Sequence, residues 1–295
     1  MYYIGIDGGG STSRLLAVDE NDNIIAERLG GATNLTALSS EAVSGNISEL
    51  LRGLDLSECK SLCIGTAGIA DGGNIPRVEK IFRGLGYKGK LKIVSDAVIA
   101  LMAETKGEAG IVVISGTGSI AYAIDKEGNT SRCGGWGALI DDGGSGCKIG
   151  MEAIRYALMA FDGRGKKTVL EDMINKHFGL KQISDILKII YSPSFEKAEA
   201  AKLSKLVSKA AKQKDEAAML IEEEAALELA KLAKTLIKKH GLYENFVVLS
   251  GGILLNNSNI QAKLSGHILE AYPKVKISRL DTPAEMGAVY MAKAN

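Results

Sequence analysis

Several features that would at once assign a protein to a class are scarce in this chain of 295 residues. Proline occurs four times, tryptophan once, and aromatic residues make up 5%. No apolar run is long enough to cross a bilayer. The first residues, MYYIGIDGGG, lack the basic and apolar regions of a secretory signal peptide. We therefore expect a cytoplasmic protein rather than a membrane or secreted one.

An excess of either charge is also missing. The chain has 36 basic and 35 acidic residues, for a formal net charge of +1. Proteins that bind nucleic acid or anionic membranes carry a basic footprint. We expect neither partner here.

Cysteine and histidine are few, with four and three residues respectively. The thiols of Cys59, Cys63, Cys133 and Cys147 form no C-x-x-C pair, and no histidine is near them in sequence. This spacing disfavours a zinc site. Free thiols fit a cytoplasmic protein.

Glycine, by contrast, is abundant at 35 residues, and hydrophobic residues make up 46%, enough for a substantial core. Residues 1–30 read as strand, glycine turn, strand, hairpin and strand, and residues 109–135 repeat that plan. Helical patterns and further strands follow each copy. The pattern predicts an α/β protein with one domain at 1–112 and a larger one at 113–283.

The second domain carries a helical insertion. Its apolar stripes indicate core or subunit contacts. We expect a helix break near Asp215, a good N-cap residue, and a stop at Gly241.

The first glycine turn, in DGGGSTS, holds more glycine than a hairpin needs. Without Cβ atoms, successive N–H groups at Gly9 and Gly10 can approach an anion closely. The hydroxyls of Ser11, Thr12 and Ser13 would add hydrogen-bond donors. Asp7, at the end of the strand, could hold Mg²⁺. The alternative is a glycine-rich hairpin with no ligand.

Two further turns favour the phosphate interpretation. Gly116-Thr117-Gly118-Ser119 stands between two strands at the matching place of the second domain. Gly251-Gly252 joins a strand to a helix, with Asn256 close by, and bare backbone there would let a ring or ribose pack. The two phosphate turns would then face each other across a cleft.

Taken together, these stretches resemble a known superfamily. GIDGGGSTS, GGATN, IGTAGIAD, VSDA, ISGTGSIAY, CGGWGALIDDGGSGCKIG, FDGRG, VVLSGGI and PAEMGAV follow one another over nearly the whole chain. They resemble the actin, Hsp70 and hexokinase superfamily and, more narrowly, the BadF/BadG/BcrA/BcrD ATPase and N-acetylglucosamine kinase family. The resemblance implies two ribonuclease-H-like (actin-like ATPase) domains with a nucleotide cleft between them, the C-terminal helix 284–295 joining the first domain, ATP and Mg²⁺ as cofactors, and a homodimer.

The resemblance also implies a catalytic base. Transfer to a sugar hydroxyl needs a group that accepts the hydroxyl proton as attack on the γ-phosphorus begins. By resemblance that group is Asp96, at a strand end just before a helix. The alternative is that Asp96 merely caps the helix.

Sugar contacts follow by the same resemblance. Asn34 matches a sugar-contacting asparagine, and Asp142 matches an aspartate that hydrogen-bonds sugar hydroxyls. Thr66-Ala67-Gly68 would form a second wall, and the GGWG loop with Gly135 and Trp136 would hold an N-acetyl group. Trp136 could instead be a core anchor.

One departure from the family pattern bears on the substrate. The family reads Asp-Glu-Gly-Ser and then an aromatic pair, whereas this chain has Gly143 in place of the glutamate and Lys148 in place of an aromatic residue. A lost carboxylate and a gained cation would suit a substrate with its own carboxylate, such as N-acetylmuramic acid. Alternatively, Lys148 faces solvent.

The favoured function is an ATP-dependent kinase that converts N-acetylglucosamine to its 6-phosphate, with N-acetylmuramic acid or glucosamine as alternative substrates. A different class also stays open. Some relatives activate dehydratases through an iron–sulfur cluster shared by a dimer, for which Cys133 and Cys147 are candidate ligands. The chain lacks the Cys-Ala-Ala-Gly-Thr-Gly stretch of those activators.

Overall fold

A computed structural model describes residues 1–69 and 73–295. Its strands are β1 (Tyr2–Gly8), β2 (Thr12–Asp19), β3 (Ile24–Gly31), β4 (Cys59–Thr66), β5 (Lys90–Val94), β6 (Gly110–Ser115), β7 (Ser119–Ile124), β8 (Thr130–Cys133), β9 (Phe246–Ser250) and β10 (Lys276–Arg279). Its helices are α1 (Ser40–Leu51), α2 (Ile75–Gly84), α3 (Asp96–Glu104), α4 (Gly146–Phe161), α5 (Leu170–Phe178), α6 (Ile186–Ile190), α7 (Lys197–Lys202), α8 (Ser204–Lys212), α9 (Glu216–His240), α10 (Gly252–Asn256), α11 (Ser258–Ala271) and α12 (Ala284–Ala294).

The strands form two sheets with the same order. The first runs β3-β2-β1-β4-β5, and the second, read from its other edge, runs β8-β7-β6-β9-β10. In the first sheet β1 is antiparallel to β2 and parallel to β4. The matching orders confirm the repeated α/β plan that the sequence predicts.

Local signals fix the start of α1 and both ends of α9. Ser39 caps α1 by accepting from the Ala42 N–H, and Asp215 caps α9 by accepting from the Ala218 N–H. Gly241 ends α9 in the left-handed conformation, at φ 65°. The predicted break and stop in the helical insertion are therefore confirmed.

The chain divides into two compact units. The first comprises Met1–Val112, Ile124–Thr130 and Leu280–Asn295, and the second comprises Val113–Ala123 and Ser131–Arg279. The C-terminal helix α12 thus packs within the first unit, on α3, β1 and β4. Gly287 permits this packing, because a Cβ there would lie 1.8 Å from the Ile99 carbonyl oxygen of α3.

Each unit has its own buried core. In the first, β1, β2 and β4 bury their apolar side chains against α1 and α2, with Phe82 and Tyr87 fully enclosed. In the second, the apolar stripes of α8 and α9 are buried, including Val207, Leu229 and Leu236. The stripes therefore belong to the core. Over the described part of the chain, none of the helices combines the length and apolarity needed to span a membrane.

Candidate active site

The first glycine turn joins β1 to β2 and is exposed at its tip. A side chain at Gly8 would collide with Thr33 Oγ1, and one at Gly9 with the Thr12 carbonyl oxygen, at 2.2 and 2.6 Å from the added Cβ. A Cβ added to Gly10 would meet no atom of the described residues within 4 Å, and Ser11 is exposed. The glycines are therefore required by close packing at the base of the turn and leave its tip clear. This geometry suits the approach of a phosphate.

Two of the hydroxyls expected near this turn face inward instead. Ser13 and Thr66 are each 1% exposed, and both hydroxyls lie within 3.4 Å of Thr33 Oγ1. Both hydroxyls are therefore turned away from the exposed tip of the turn, and a contact of Thr66 with a sugar stays a prediction. Ala67 and Gly68 remain partly exposed beyond Thr66. Ala70 and Asp71, which end the IGTAGIAD stretch, lie outside the described residues.

Asp96 is the first residue of α3, directly after the loop that follows β5. The N-cap position belongs to Ser95, whose Oγ is buried without a hydrogen-bond partner among the described residues. Asp96 Oδ1 accepts from the adjacent Ala97 N–H at 2.8 Å. Burial raises the Asp96 pKa, opposed by that N–H group. Asp96 is therefore the first helical residue rather than the N-cap residue, although its carboxylate accepts from a first-turn N–H. Its raised pKa is typical of a general base.

Asp7 lies among other carboxylates at the end of β1. Burial, and then the nearby charges of Glu285 and Asp96, raise the Asp7 pKa to about 6, while Arg14 lowers it. Glu285, on α12, is 6% exposed and lies 3.7 Å from Arg14. Neither Glu285 nor Arg14 is predicted from the sequence as a site residue, although Glu285 lies in the PAEMGAV stretch.

This acidic environment fits a divalent cation. The described residues contain no group of three or more potential metal ligands. Mg²⁺ bound with a nucleotide needs only one or two carboxylates, because phosphates and water supply the remaining ligands. A cation at Asp7 would relieve the repulsion that raises its pKa. Asp7 is the residue that would hold it.

Asn34 presents its amide nitrogen for binding. Its Oδ1 accepts from the Thr36 N–H at 2.9 Å and from Thr36 Oγ1 at 2.7 Å. These two donors fix the amide orientation, and Nδ2 has no partner among residues 1–69 and 73–295. Gly68 makes room for this arrangement, since a Cβ there would lie 2.5 Å from Asn34 Oδ1. Asn34 and Gly68 are thus neighbours in the first unit, with two N–H donors left for a ligand.

The second glycine turn, between β6 and β7, is bound to the start of α4. The Gly146 N–H donates to the Gly116 carbonyl at 2.8 Å, and the Cys147 N–H donates to the Thr117 carbonyl at 3.2 Å. Thr117 and Gly118 are exposed. Ser119 is 5% exposed and donates its hydroxyl to the Gly143 carbonyl at 2.8 Å. The Ser119 hydroxyl is therefore directed at the Gly143 carbonyl, and its expected contact with nucleotide stays a prediction.

Asp142 lies against this turn. A Cβ on Gly118 would be 3.3 Å from Asp142 Oδ2. Burial raises the Asp142 pKa, while the Ser119 N–H and then Lys197 oppose the shift. The predicted sugar ligand is thus an immediate neighbour of the predicted phosphate turn.

The third turn requires its first glycine. Gly251 has φ 89°, and a Cβ there would lie 2.4 Å from the Ser115 carbonyl oxygen on β6. Gly252 has open space beside it, and Asn256 donates to the Gly252 carbonyl at 2.8 Å. Gly252, Asn256, Gly116 and Thr117 line one cavity of about 810 Å³ in the second unit. The second and third turns therefore share a space large enough for a nucleoside.

The wall of this cavity is anchored by a buried acid that the sequence did not reveal. Glu222 of α9 is 1% exposed and accepts from Asn257 Nδ2 at 2.7 Å and from Asn259 Nδ2 at 3.1 Å. Asn257 in turn caps α11 and lines the cavity. The pair thus fixes the chain just beyond Asn256.

The GGWG loop carries its tryptophan outward. Gly134, Gly135 and Gly137 all have positive φ, and Trp136 is 61% exposed with the Arg132 guanidinium 4.3 Å from its ring. Leu139 follows, fully exposed. Trp136 is therefore not a core anchor, and the loop offers an apolar surface for a ligand.

Packing against α9 explains why position 143 is a glycine. A Cβ there would lie 2.8 Å from the Cβ of Glu228 on α9 and 3.1 Å from its Oε2. Glu228 therefore occupies the space that a side chain at position 143 would need. A carboxylate from α9 is present close to the position where this chain lacks one.

Lys148 already has an acidic partner. Its ammonium lies 3.2 Å from the Glu152 carboxylate one turn along α4, and Glu152 also binds Arg155. The Lys148 side chain is 56% exposed and borders a cavity of about 260 Å³ between α4 and α9. These contacts favour the solvent-facing interpretation.

We expect Lys148→Ala to change kcat/KM by less than about twofold for both N-acetylglucosamine and N-acetylmuramic acid. A partly exposed pair of this kind contributes only about 0–1 kcal/mol. Steady-state kinetics with both sugars measures this, with Lys188→Ala as control because Lys188 is similarly paired, 2.8 Å from Asp185. A selective fall for N-acetylmuramic acid would instead show a carboxylate contact.

The thiols are poorly placed for a cluster. Cys147 is 7% exposed, and burial raises the pKa of both Cys133 and Cys147. Because thiolates are the ligands of iron–sulfur clusters, this environment does not favour the dehydratase-activator alternative.

Comparison with solved structures defines the class. The fold is that of the actin-like ATPases, and the chain aligns with the crystal structure assigned as an N-acetylglucosamine kinase from Chromobacterium violaceum at a TM-score of 0.71. The two share 23% identity, over 99% of this chain and 98% of that one.

Within that class, the chain belongs to the BadF/BadG/BcrA/BcrD ATPase family, whose model matches residues 4–292. It is 38% identical to the N-acetylmuramic acid/N-acetylglucosamine kinase of Clostridium acetobutylicum, over 99% of this chain and 98% of that protein. It is 32% identical to the N-acetyl-D-glucosamine kinase of Dictyostelium discoideum, over 98% of this chain and 97% of that protein. The family resemblance drawn from the motifs is confirmed.

Proposed function

We propose that this chain is an ATP-dependent amino sugar kinase that converts N-acetylglucosamine to its 6-phosphate and also accepts N-acetylmuramic acid. The observation that carries the proposal is Asp96, a partly buried carboxylate with a raised pKa at the start of α3, after the N-cap residue Ser95. The names of the two full-length relatives support the same class of substrate.

The residues of the first unit supply the acceptor chemistry. The Asp96 carboxylate accepts the proton of the sugar 6-hydroxyl while the oxygen attacks the γ-phosphorus and ADP leaves. Asn34 Nδ2 donates to a sugar oxygen, since its Oδ1 is held by Thr36. The backbone N–H of Gly10 binds donor phosphate, since the Gly9 N–H already donates to the Thr12 carbonyl at 3.0 Å.

The residues of the second unit bind the rest of the ligands. Thr117 and Gly118 contact donor phosphate, and the cavity beside Gly252 and Asn256 takes the nucleoside. Trp136 packs on the N-acetyl group. Asp7 is the residue that would hold Mg²⁺, which would supply positive charge to stabilise the transferring phosphoryl group.

A coupled ADP-release assay with Mg-ATP tests the proposal. We expect ADP release to rise well above the sugar-free rate with N-acetylglucosamine and N-acetylmuramic acid, and phosphorus NMR to show a 6-phosphate. ADP release that no amino sugar stimulates would contradict a kinase of this class. We also propose a cytoplasmic homodimer, and sedimentation at twice the chain mass would support the dimer.

A further inference from the structure

The cavity beside the second and third glycine turns has a one-sided charge. Its lining includes Lys202, Lys205, Lys209 and Lys212, and among the described residues no acidic side chain belongs to it. The chain as a whole is almost neutral, with a net charge of +1. The lining of this cavity is therefore more positive than the chain as a whole.

Three of these lysines lack an acidic partner. Lys202 pairs with Glu199 at 2.5 Å, whereas Lys205, Lys209 and Lys212 have no carboxylate within 4.0 Å in the described ranges. Lys205, Lys209 and Lys212 are exposed and follow one face of α8, at intervals of four and three residues. The row spans about 10 Å at the rise of an α-helix.

A buried acid close to this cavity forms no ion pair with the row of lysines. Glu222 lies behind the cavity wall, 1% exposed, and its carboxylate is occupied by the amides of Asn257 and Asn259. Like charges at these helical spacings repel one another and destabilise the free helix. A bound polyanion would relieve that repulsion.

We propose that Lys205, Lys209 and Lys212 form a basic wall of the nucleotide cavity that attracts the donor polyphosphate and makes nucleotide affinity strongly salt-dependent. The inference rests on the proposed function, since it takes the cavity to be the donor site. Charge of one sign around a cavity raises the local concentration of the oppositely charged ligand. The effect increases with ligand charge and is screened at high salt.

Calorimetric titration without sugar tests the basic wall directly. The parent and the triple variant Lys205→Gln, Lys209→Gln, Lys212→Gln are titrated with ATP, ADP and adenosine at low and high ionic strength. We expect the triple variant to bind ATP about tenfold more weakly at low salt, ADP to lose less, and adenosine to be unchanged. At high salt the parent and the variant should bind ATP equally.

A matched variant controls for net charge. The control is the triple variant Lys167→Gln, Lys176→Gln, Lys181→Gln, which removes an equal number of positive charges from exposed positions that do not line the cavity. It should keep the salt dependence of the parent. Equal salt dependence in the parent and the basic-wall variant overturns the inference and leaves the kinase proposal intact. A parent chain that binds neither ATP nor ADP overturns the proposed function as well. Thermal melts check folding, and Lys209→Gln alone serves if the triple variant is unstable.

Discussion

Replacing Asp96 by asparagine should lower kcat for sugar phosphorylation by about 10²–10⁴-fold, the range typical for loss of a general base. Asparagine keeps the shape of the side chain but cannot accept the hydroxyl proton. Because Ser95 rather than Asp96 holds the N-cap position of α3, the fold should tolerate the change. Stopped-time ADP release with saturating ATP and N-acetylglucosamine measures the loss.

The same variant should still bind nucleotide. We expect an ATP dissociation constant within about threefold of the parent value, since one partly exposed charge contributes about 0–1 kcal/mol. Glu20→Gln, at an exposed position, is the matched control and should keep parent kinetics. An Asp96→Asn variant that retains kcat within about fivefold of the parent would remove Asp96 from the role of base.

The pH profile gives a second measure of Asp96. Burial raises its pKa, so the carboxylate that must accept the proton is lost at a higher pH than for an ordinary aspartate. The rate should therefore fall on the acidic side of neutrality. That acidic limb of kcat should be missing from the residual activity of Asp96→Asn.

Periodicity made much of the fold predictable from sequence. The two copies of strand, glycine turn and strand gave both sheets, and local cap residues such as Asp215 and Gly241 gave the ends of the longest helix. These features depend on residues close together in the chain. They do not require knowledge of tertiary packing.

The inward orientation of the Ser13 hydroxyl could have been predicted from the sequence, whereas that of Ser119 could not. Ser13 lies two residues before Leu15 on β2, and alternation along a strand places both on the buried face. Ser119, in contrast, is buried because the chain at Gly143 folds back over the turn. No local pattern reveals that contact.

The remaining unpredicted features of the site depend on contacts between residues far apart in the chain. Glu285 lies beside Asp7 only because α12 packs on β1, and the row of lysines on α8 gains meaning only from the cavity that it borders. Both were charged residues on predicted helices, which are ordinarily solvated. The same limit applies to Glu228, which fills the space at Gly143.

The Asp7→Asn variant should be more stable than the parent and almost inactive. Burial and the charges of Glu285 and Asp96 raise the Asp7 pKa from 3.8 to about 6, so the charged form is disfavoured in the folded chain. The folded state then binds a proton more tightly than the unfolded state between these pH values, and stability falls as pH rises through that window. Asparagine removes this cost, and we expect about 1–2 kcal/mol of added stability at pH 7.5, allowing for partial exposure.

Activity should change in the opposite direction. Asparagine is neutral and a weaker ligand for Mg²⁺, so kcat/KM for Mg-ATP should fall by about 10²-fold or more, the effect of losing several kcal/mol of charge stabilisation. Denaturant melts at pH 5 and 7.5, with kinetics over a range of Mg²⁺ concentrations, measure the two effects. The stability gain of the variant should be smaller at pH 5, where the parent Asp7 is largely protonated.

Glu285→Gln separates Asp7 from Asp96 in this comparison. Among the nearby charges, Glu285 raises the Asp7 pKa most, whereas it does not contribute to the raised pKa of Asp96. Removing its charge should therefore shift the pH dependence of Mg²⁺ activation to lower pH while the Asp96-dependent limb of kcat at saturating Mg²⁺ stays in place. An Asp7→Asn variant no more stable than the parent would show that Glu285 and Asp96 do not destabilise the charged form of Asp7. If the variant is also as active as the parent, Asp7 does not bind the cation. An Asp7→Asn variant that is more stable but fully active would support the repulsion at Asp7 and show that the cation binds elsewhere. A carboxylate that destabilises the fold at a functional site is otherwise expected to contribute to activity.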